Sequence, residues 1–235
     1  KAVPSKTTMP ILECILIDAS SNQIKFTSND MELGIETIVE GEIVERGTIA
    51  LDAKIFSEII RKLPESDIVI ETHDLKTTIT CEKAKFDILG KSSEDFSYLP
   101  FVEKNDFISL SQFTLKEMIR QTIFSIAANE NNKMMTGELF EIKDNMLRVV
   151  SLDGHRIAIR KMMLKETYED RKIVVPGKTL IEISKILSGE VEDTVNLFFT
   201  SNHIVFEFDQ TTVVSRLIEG EYFRIDQMLS SDYET

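Results

Sequence analysis

Positively charged side chains at helical spacing are the residues of this sequence best placed to act together. Lys54 and Arg61 stand seven positions apart, as do Lys178 and Lys185, and Lys116 and Arg120 stand four apart. Either spacing puts two cations on one face of a helix, and Lys62 adds a further charge beside Arg61. Such faces suit contact with a row of phosphates, an attraction that is electrostatic and indifferent to base sequence. Bond-making chemistry is poorly represented. His73, His155 and His203 are scattered, and the chain has no P-loop, no metal-ligand spacing and no nucleophile beside a base. No cofactor or metal is therefore expected. Cys14 and Cys81 lack a C-x-x-C partner and read as small buried hydrophobes of a protein kept in a reducing compartment. The loop Asp153-Gly154-His155-Arg156 is where an α+β enzyme would place a site, and that alternative stays open. A histidine beside a turn is more often structural, and Asp30 and Asp153 both read as turn-formers.

The whole chain is acidic, with a formal charge of −13 over 235 residues. Net charge does not fix where charges lie, so a basic helical stripe on an otherwise negative body remains compatible with it. A hydrophobic content of 42% is that of a globular protein. No run approaches the roughly 20 apolar residues that span a bilayer, and the first apolar run is interrupted by Glu13 and Asp18, unlike a signal peptide.

The elements that must carry the cations occur twice. Pro10 to Ile17 reads as a buried strand, followed by a polar turn, an alternating run through Ile24 and Phe26, and a strand over 33–39. Gly137 to Ile142, Leu147 to Val150 and the Asp153-Gly154 turn repeat the theme. The closest parallel lies between Ile49–Leu63 and Ile173–Leu187, offset by 124 positions (173 − 49). Each is a short strand running into an amphipathic helix, with apolar stripes at 56, 59, 60, 63 and at 180, 183, 186, 187. A repeat of this length indicates a duplicated domain rather than a solenoid. The second block also opens with a helix, where Thr114-Leu115-Lys116-Glu117 fits a capping box and Leu115, Met118, Ile119, Ile123 and Ile126 line one face. The first block has no counterpart, as though the chain began inside its first domain.

Four motifs in order carry a family resemblance: Thr8-Met9-Pro10-Ile11-Leu12, Asn29-Asp30-Met31-Glu32, Asp153-Gly154-His155-Arg156-Ile157-Ala158 and Ser215-Arg216-Leu217-Ile218-Glu219-Gly220. Together they resemble the bacterial DNA polymerase III beta subunit family, the sliding clamps, over essentially the whole chain. The resemblance implies an α+β DNA clamp fold of two tandem repeated domains, 1–104 and 105–235. Each domain would have antiparallel sheets outside and helices lining a concave inner face. It implies a non-catalytic processivity factor, with two three-domain subunits closed head to tail around double-stranded DNA. A homodimer ring in the cytoplasm, associated with the nucleoid and not with membranes, would follow. A clamp of two domains per subunit, closing as three copies, is the other arrangement considered. The sequence departs from the family at Glu221-Tyr222-Phe223-Arg224-Ile225-Asp226, where an aromatic-Pro-Asp sequence is common, and it shows no third domain.

The resemblance also assigns sites. Lys6 and Lys133 match positions where basic residues contact DNA, beside the helix cations Lys54, Arg61, Lys62, Lys116, Arg120, Lys178 and Lys185. The aromatic pair often found at the second position is Lys133-Met134 here. A peptide-binding pocket is implied at Met135, Leu152, Gly154, His155, Arg156 and Ile157, with Met228 or Leu229 on its rim. Replicative polymerase, clamp loader and repair polymerases would dock there by short motifs with Leu or Phe anchors, and methionines would help the pocket adapt to several of them.

Overall fold

Strand patterning and turn chemistry account for most of the elements in the computed structural model, which describes residues 2–4, 7–104, 107–128 and 132–229. Pro10–Glu13 forms a short 3-10 helix, so the expected first strand starts four residues late, at β1 (Cys14–Asp18). Proline at the first helical position has no N–H to lose and a φ already suited to a turn. β2 (Ile24–Asn29), β3 (Leu33–Val39) and β4 (Thr48–Asp52) follow, then α1 (Ala53–Ile60), β5 (Val69–His73), β6 (Lys76–Cys81) and β7 (Ala84–Leu89). The rest of the chain contains β8 (Phe107–Ser111), α2 (Gln112–Thr122), β9 (Gly137–Lys143), β10 (Met146–Leu152), β11 (Ile157–Met163) and β12 (Arg171–Pro176). It ends with α3 (Gly177–Ile186), β13 (Thr194–Phe199), β14 (His203–Phe208), β15 (Thr211–Arg216) and a single turn, α4 (Ile225–Met228).

Contacts divide the chain into two units. The first takes the described residues up to Lys104 together with Val195–Phe198 and Val205–Ser215. Its large sheet runs β4-β1-β2-β3-β15-β14-β13, and β5-β6-β7 form a second, three-stranded sheet. Strands from late in the sequence thus belong to the first unit, β15 pairing antiparallel with β3 from Thr211↔Thr37 to Ser215↔Leu33. β1 is apolar on both faces because both are buried. Cys14 and Leu16 join Ile11, Leu12, Ala50 and Phe96 on one side. Ile15 and Ile17 join Ile49, Leu51, Phe56, Ile79 and Ile88 on the other. Both cysteines are free and buried; burial pushes the Cys14 thiol up, so it stays unreactive. α1 starts at Asp52, whose carboxylate accepts the Ile55 N–H at 2.8 Å. It lays Phe56 against Phe26 with ring centroids 5.9 Å apart.

The second unit is built on the sheet β11-β10-β9-β12. α2 and α3 cover one face of it. Alternation along the strands sends Leu139, Val150, Leu152 and Val174 to the other. The expected capping box is not used. α2 begins at Gln112 with Ser111 as its N-cap, which leaves Thr114 inside the helix. The buried Gln112 anchors this start instead: its N–H donates to Asp193 O, its side-chain amide donates to Thr194 O, and its Oε1 accepts the Ser188 N–H. Those partners are some 80 residues away in sequence, beyond the reach of a local motif.

Glu138 is fully buried on the helix-covered face of β9. It pairs across to Val175, and one further step of the β9–β10 register brings Ser151 opposite it. Neither carboxyl oxygen has a hydrogen-bond partner within 3.5 Å. The neighbouring hydroxyls have committed their protons elsewhere, Thr122 to Met118 O at 2.8 Å and Ser151 to Thr122 O at 2.6 Å. Burial raises the Glu138 pKa to about 8, with Thr122 acting in the opposite direction. In the unfolded chain Glu138 titrates near 4.5. Its contribution to stability is therefore whole below that pH and is lost progressively as pH rises toward about 8. Thermal or urea unfolding of the wild type should show a loss of up to about 1.4 kcal/mol per pH unit across that window. Glu138→Gln should flatten the slope; equal slopes in the two proteins would show that Glu138 ionises freely in the fold.

Candidate functional site

The helix cations sit in different local settings. In the first unit Lys54 and Arg61 are exposed and both border one cavity of about 430 Å³, floored by Ile15, Phe56 and Ile60. Their seven-residue spacing therefore does place them on one face, with Lys62 exposed beside them. In the second unit α2 and α3 pack together. Lys178 and Lys185 are exposed on α3, Lys185 pairing with Glu182 at 2.6 Å. Arg120 forks onto Glu117 with contacts of 2.8 and 2.6 Å, and this fork holds the Glu117 carboxyl below its usual range. Surface pairs of this kind contribute little to stability, so a phosphate can compete for the cation. Lys116 differs. Its ammonium donates to Leu187 O at 3.0 Å, where α3 ends and its dipole is negative, which ties the two helices together. Lys133 is exposed at the start of the short 3-10 helix Lys133–Thr136, and Lys6 lies outside the described residues.

The expected pocket residues fall into three groups: one on the helix-free face of the β9–β12 sheet, one in the β10–β11 turn and one at the end of α4. Met135 and Ile157 pack against a buried cluster of Met134, Leu139, Val150, Leu152, Val174 and Ile225. Leu152 is completely buried, so it supports the surface from below. Gly154, His155 and Arg156 are exposed in the turn joining β10 to β11. Asp153 organises that turn, accepting the N–H groups of His155 and Arg156 at 3.1 and 3.2 Å and the Arg156 Nε at 2.8 Å. Gly154 takes φ +86°, a conformation that favours glycine. These bonds, the one from His155 foremost, hold the Asp153 carboxyl below its usual range. Asp30 builds the same kind of turn in the first repeat, accepting the N–H groups of Glu32 and Leu33. Met228 and Leu229 are half exposed at the end of α4.

Sequence reasoning missed several members of this surface. Ile159, Ile218, Tyr222 and Phe223 pack on the same cluster, and the Tyr222 hydroxyl donates to Val150 O at 3.4 Å. Arg156 lies 5.7 Å from the ring centroid of Phe124, which is 57% exposed. The signal for Tyr222 and Phe223 was their position directly after the Ser215–Gly220 motif. Phe124 had only its place just beyond α2. Among the described residues, no group of three or more His, Cys, Asp or Glu side chains could hold a metal ion, and no helix is long and apolar enough to cross a membrane.

Two family models match the chain: the DNA polymerase III beta subunit N-terminal domain over residues 1–100 and its central domain over residues 109–223. Beta sliding clamps of Staphylococcus epidermidis and Staphylococcus aureus are 37% and 36% identical, each alignment covering all of this chain and 64% of the relative. A crystal structure described as a DNA polymerase III beta subunit, from Eubacterium rectale, matches with a TM-score of 0.96 at 71% identity, over 99% of this chain and 64% of that one. The DNA polymerase sliding clamp of Bacillus subtilis matches with a TM-score of 0.93 at 34% identity, over 98% and 63%. The chain spans 64% of the length of the curated relatives it matches.

Proposed function

Because the chain belongs to the DNA polymerase III beta subunit family, we propose that it supplies two domains, 1–104 and 105–235, of a sliding clamp that tethers the replicative polymerase to duplex DNA. The observation carrying this reading is the recurrence of one device in both repeats: a strand entering an amphipathic helix that exposes two cations seven residues apart, Lys54 with Arg61 and Lys178 with Lys185. Lysine and arginine on a helix attract phosphates without reading base edges, which permits retention with sliding. A body of net charge −13 disfavours DNA elsewhere on the surface. The ring is a homodimer of full-length subunits in the cytoplasm, and Lys6, Lys62, Arg120 and Lys133 add further contacts to the duplex. Lys116 acts mainly by fastening α2 to α3.

The apolar surface around Met135 and Ile157, edged by Gly154, His155, Arg156, Met228 and Leu229, takes short peptides of the polymerase, the clamp loader and repair polymerases. Leu or Phe anchors fit such a surface, and its methionines let it adjust to different sequences. The role is non-catalytic, and the Asp153–Arg156 loop suits it: the aspartate is occupied in shaping its own turn.

Charge reversal at Lys54, Arg61, Lys178 and Lys185 in the complete protein should shorten retention on circular DNA and flatten its salt dependence. Retention and salt slope equal to wild type would remove the helix cations from the interface. Met135→Asp with Ile157→Asp should weaken peptide binding by at least about tenfold, since a charge would have to be desolvated in each bound complex. Fluorescence anisotropy with a labelled peptide carrying Leu and Phe anchors measures this; undiminished affinity in a folded variant rules the surface out.

A further inference from the structure

The chain that frames the apolar surface leaves the sheet after Ile218, whose N–H donates to Val174 O at 2.9 Å. Beyond that point, the described backbone hydrogen bonds stay within the segment itself: Ile225 to Phe223, Gln227 to Arg224 and Leu229 to Ile225. α4 is a single turn with no side-chain cap. Side chains must therefore hold this stretch against the sheet. Tyr222, Phe223 and Ile225 do so through apolar contact, which is non-directional, although the buried Ile225 turns one side of α4 inward.

A directional contact is supplied by charge. Arg148, Glu141 and Lys172 stand directly opposite one another on β10, β9 and β12. Alternation places them on the same face as Val150, Leu139 and Val174. Glu141 binds Lys172 at 2.8 Å and Arg148 at 3.4 Å, so two cations share one carboxylate. Asp226 of α4 adds a second carboxylate, accepting from Arg148 Nη1 at 2.9 Å. The guanidinium is nearly buried, with 8% of its side chain exposed, whereas 80% of the Asp226 side chain is exposed. The pair joins a fixed point in the sheet to an outer turn that has few other directional ties. Asp226 lies next to the buried Ile225 and two and three residues before Met228 and Leu229.

We propose that Asp226 is a positioning residue for the peptide-binding surface: through Arg148 it sets the rotation of α4 and so holds Met228 and Leu229 on the rim. The inference rests on the peptide-pocket reading and assigns that pocket a control that does not touch the peptide. Peptide affinity then depends on an ion pair outside the contact area, and salt weakens binding even of an uncharged peptide.

The test uses the complete protein and an uncharged labelled peptide with Leu and Phe anchors, measured by anisotropy at low and high salt. Asp226→Asn should bind roughly three- to tenfold more weakly at low salt and lose most of the salt dependence, as expected for removal of one partly exposed charge pair. Asp226→Glu, which keeps the charge, should recover most of the affinity. The methyl resonance of Met228 should shift in Asp226→Asn and return in Asp226→Glu, with DNA retention unchanged throughout. Unaltered affinity in Asp226→Asn overturns the inference while leaving the pocket reading intact. A glutamate variant as weak as the asparagine variant overturns it also, since charge would then not be the cause. Wild-type protein that binds no such peptide overturns the pocket reading and this inference with it.

Discussion

Everything in the second unit follows from a sheet that must exclude water from both faces. Its strands carry apolar residues on alternate sides, with Phe140, Leu147 and Val149 fully buried beside Leu139, Val150 and Leu152. The two faces are covered by different means. One lies under α2 and α3, fastened by the Gln112 and Lys116 hydrogen bonds. The other lies under a segment of irregular chain that binds mostly through side chains. Helices make a rigid cover because their backbone groups are satisfied internally. An irregular strap has no such self-sufficiency, and it leaves apolar side chains such as Met228 partly open. A partly open apolar surface and a helix-covered face are thus two consequences of one buried layer.

Polar groups trapped in that layer show how finely the covering is balanced. Glu138 is buried with no hydrogen-bond partner for its carboxyl oxygens, and that burial raises its pKa to about 8, which favours the neutral acid. Arg148 on the opposite side, nearly buried, is met by two carboxylates. Buried ionisable groups survive by neutralising or by pairing, and the two faces of one sheet use one solution each. Neither arrangement is visible in the local sequence around these residues.

Much of the architecture was legible in the chain. The offset of 124 positions between the two strand-helix units fixed the duplication, and both copies fold as read, β4 into α1 and β12 into α3. The Asp30 and Asp153 turns are local events, in which a carboxylate accepts N–H groups two and three residues on, and local pattern finds them well. Failures came where distant groups decide. Thr114 has the spacing of a cap, but the helix starts at Gln112 because carbonyls near residue 193 are there to receive it. Lys116 looks like any surface lysine until the end of α3 is placed beside it. Met135 and Ile157, named from the family resemblance, pack on one buried cluster, and Tyr222 and Phe223, which stand where the sequence departs from the family, pack there too.

The path of the chain through the first unit has a consequence for how the protein can be divided. β15 hydrogen-bonds along β3, although 172 positions separate the end of β3 from the start of β15 (211 − 39). A cut near residue 105 would therefore separate the sequence repeats without releasing a self-contained body. The N-terminal piece would present β3 with a bare row of amide and carbonyl groups, the kind of edge that recruits foreign strands and drives aggregation. Half-length fragments are thus poor reagents, and the covalent continuity of the chain protects a seam that neither half can close alone.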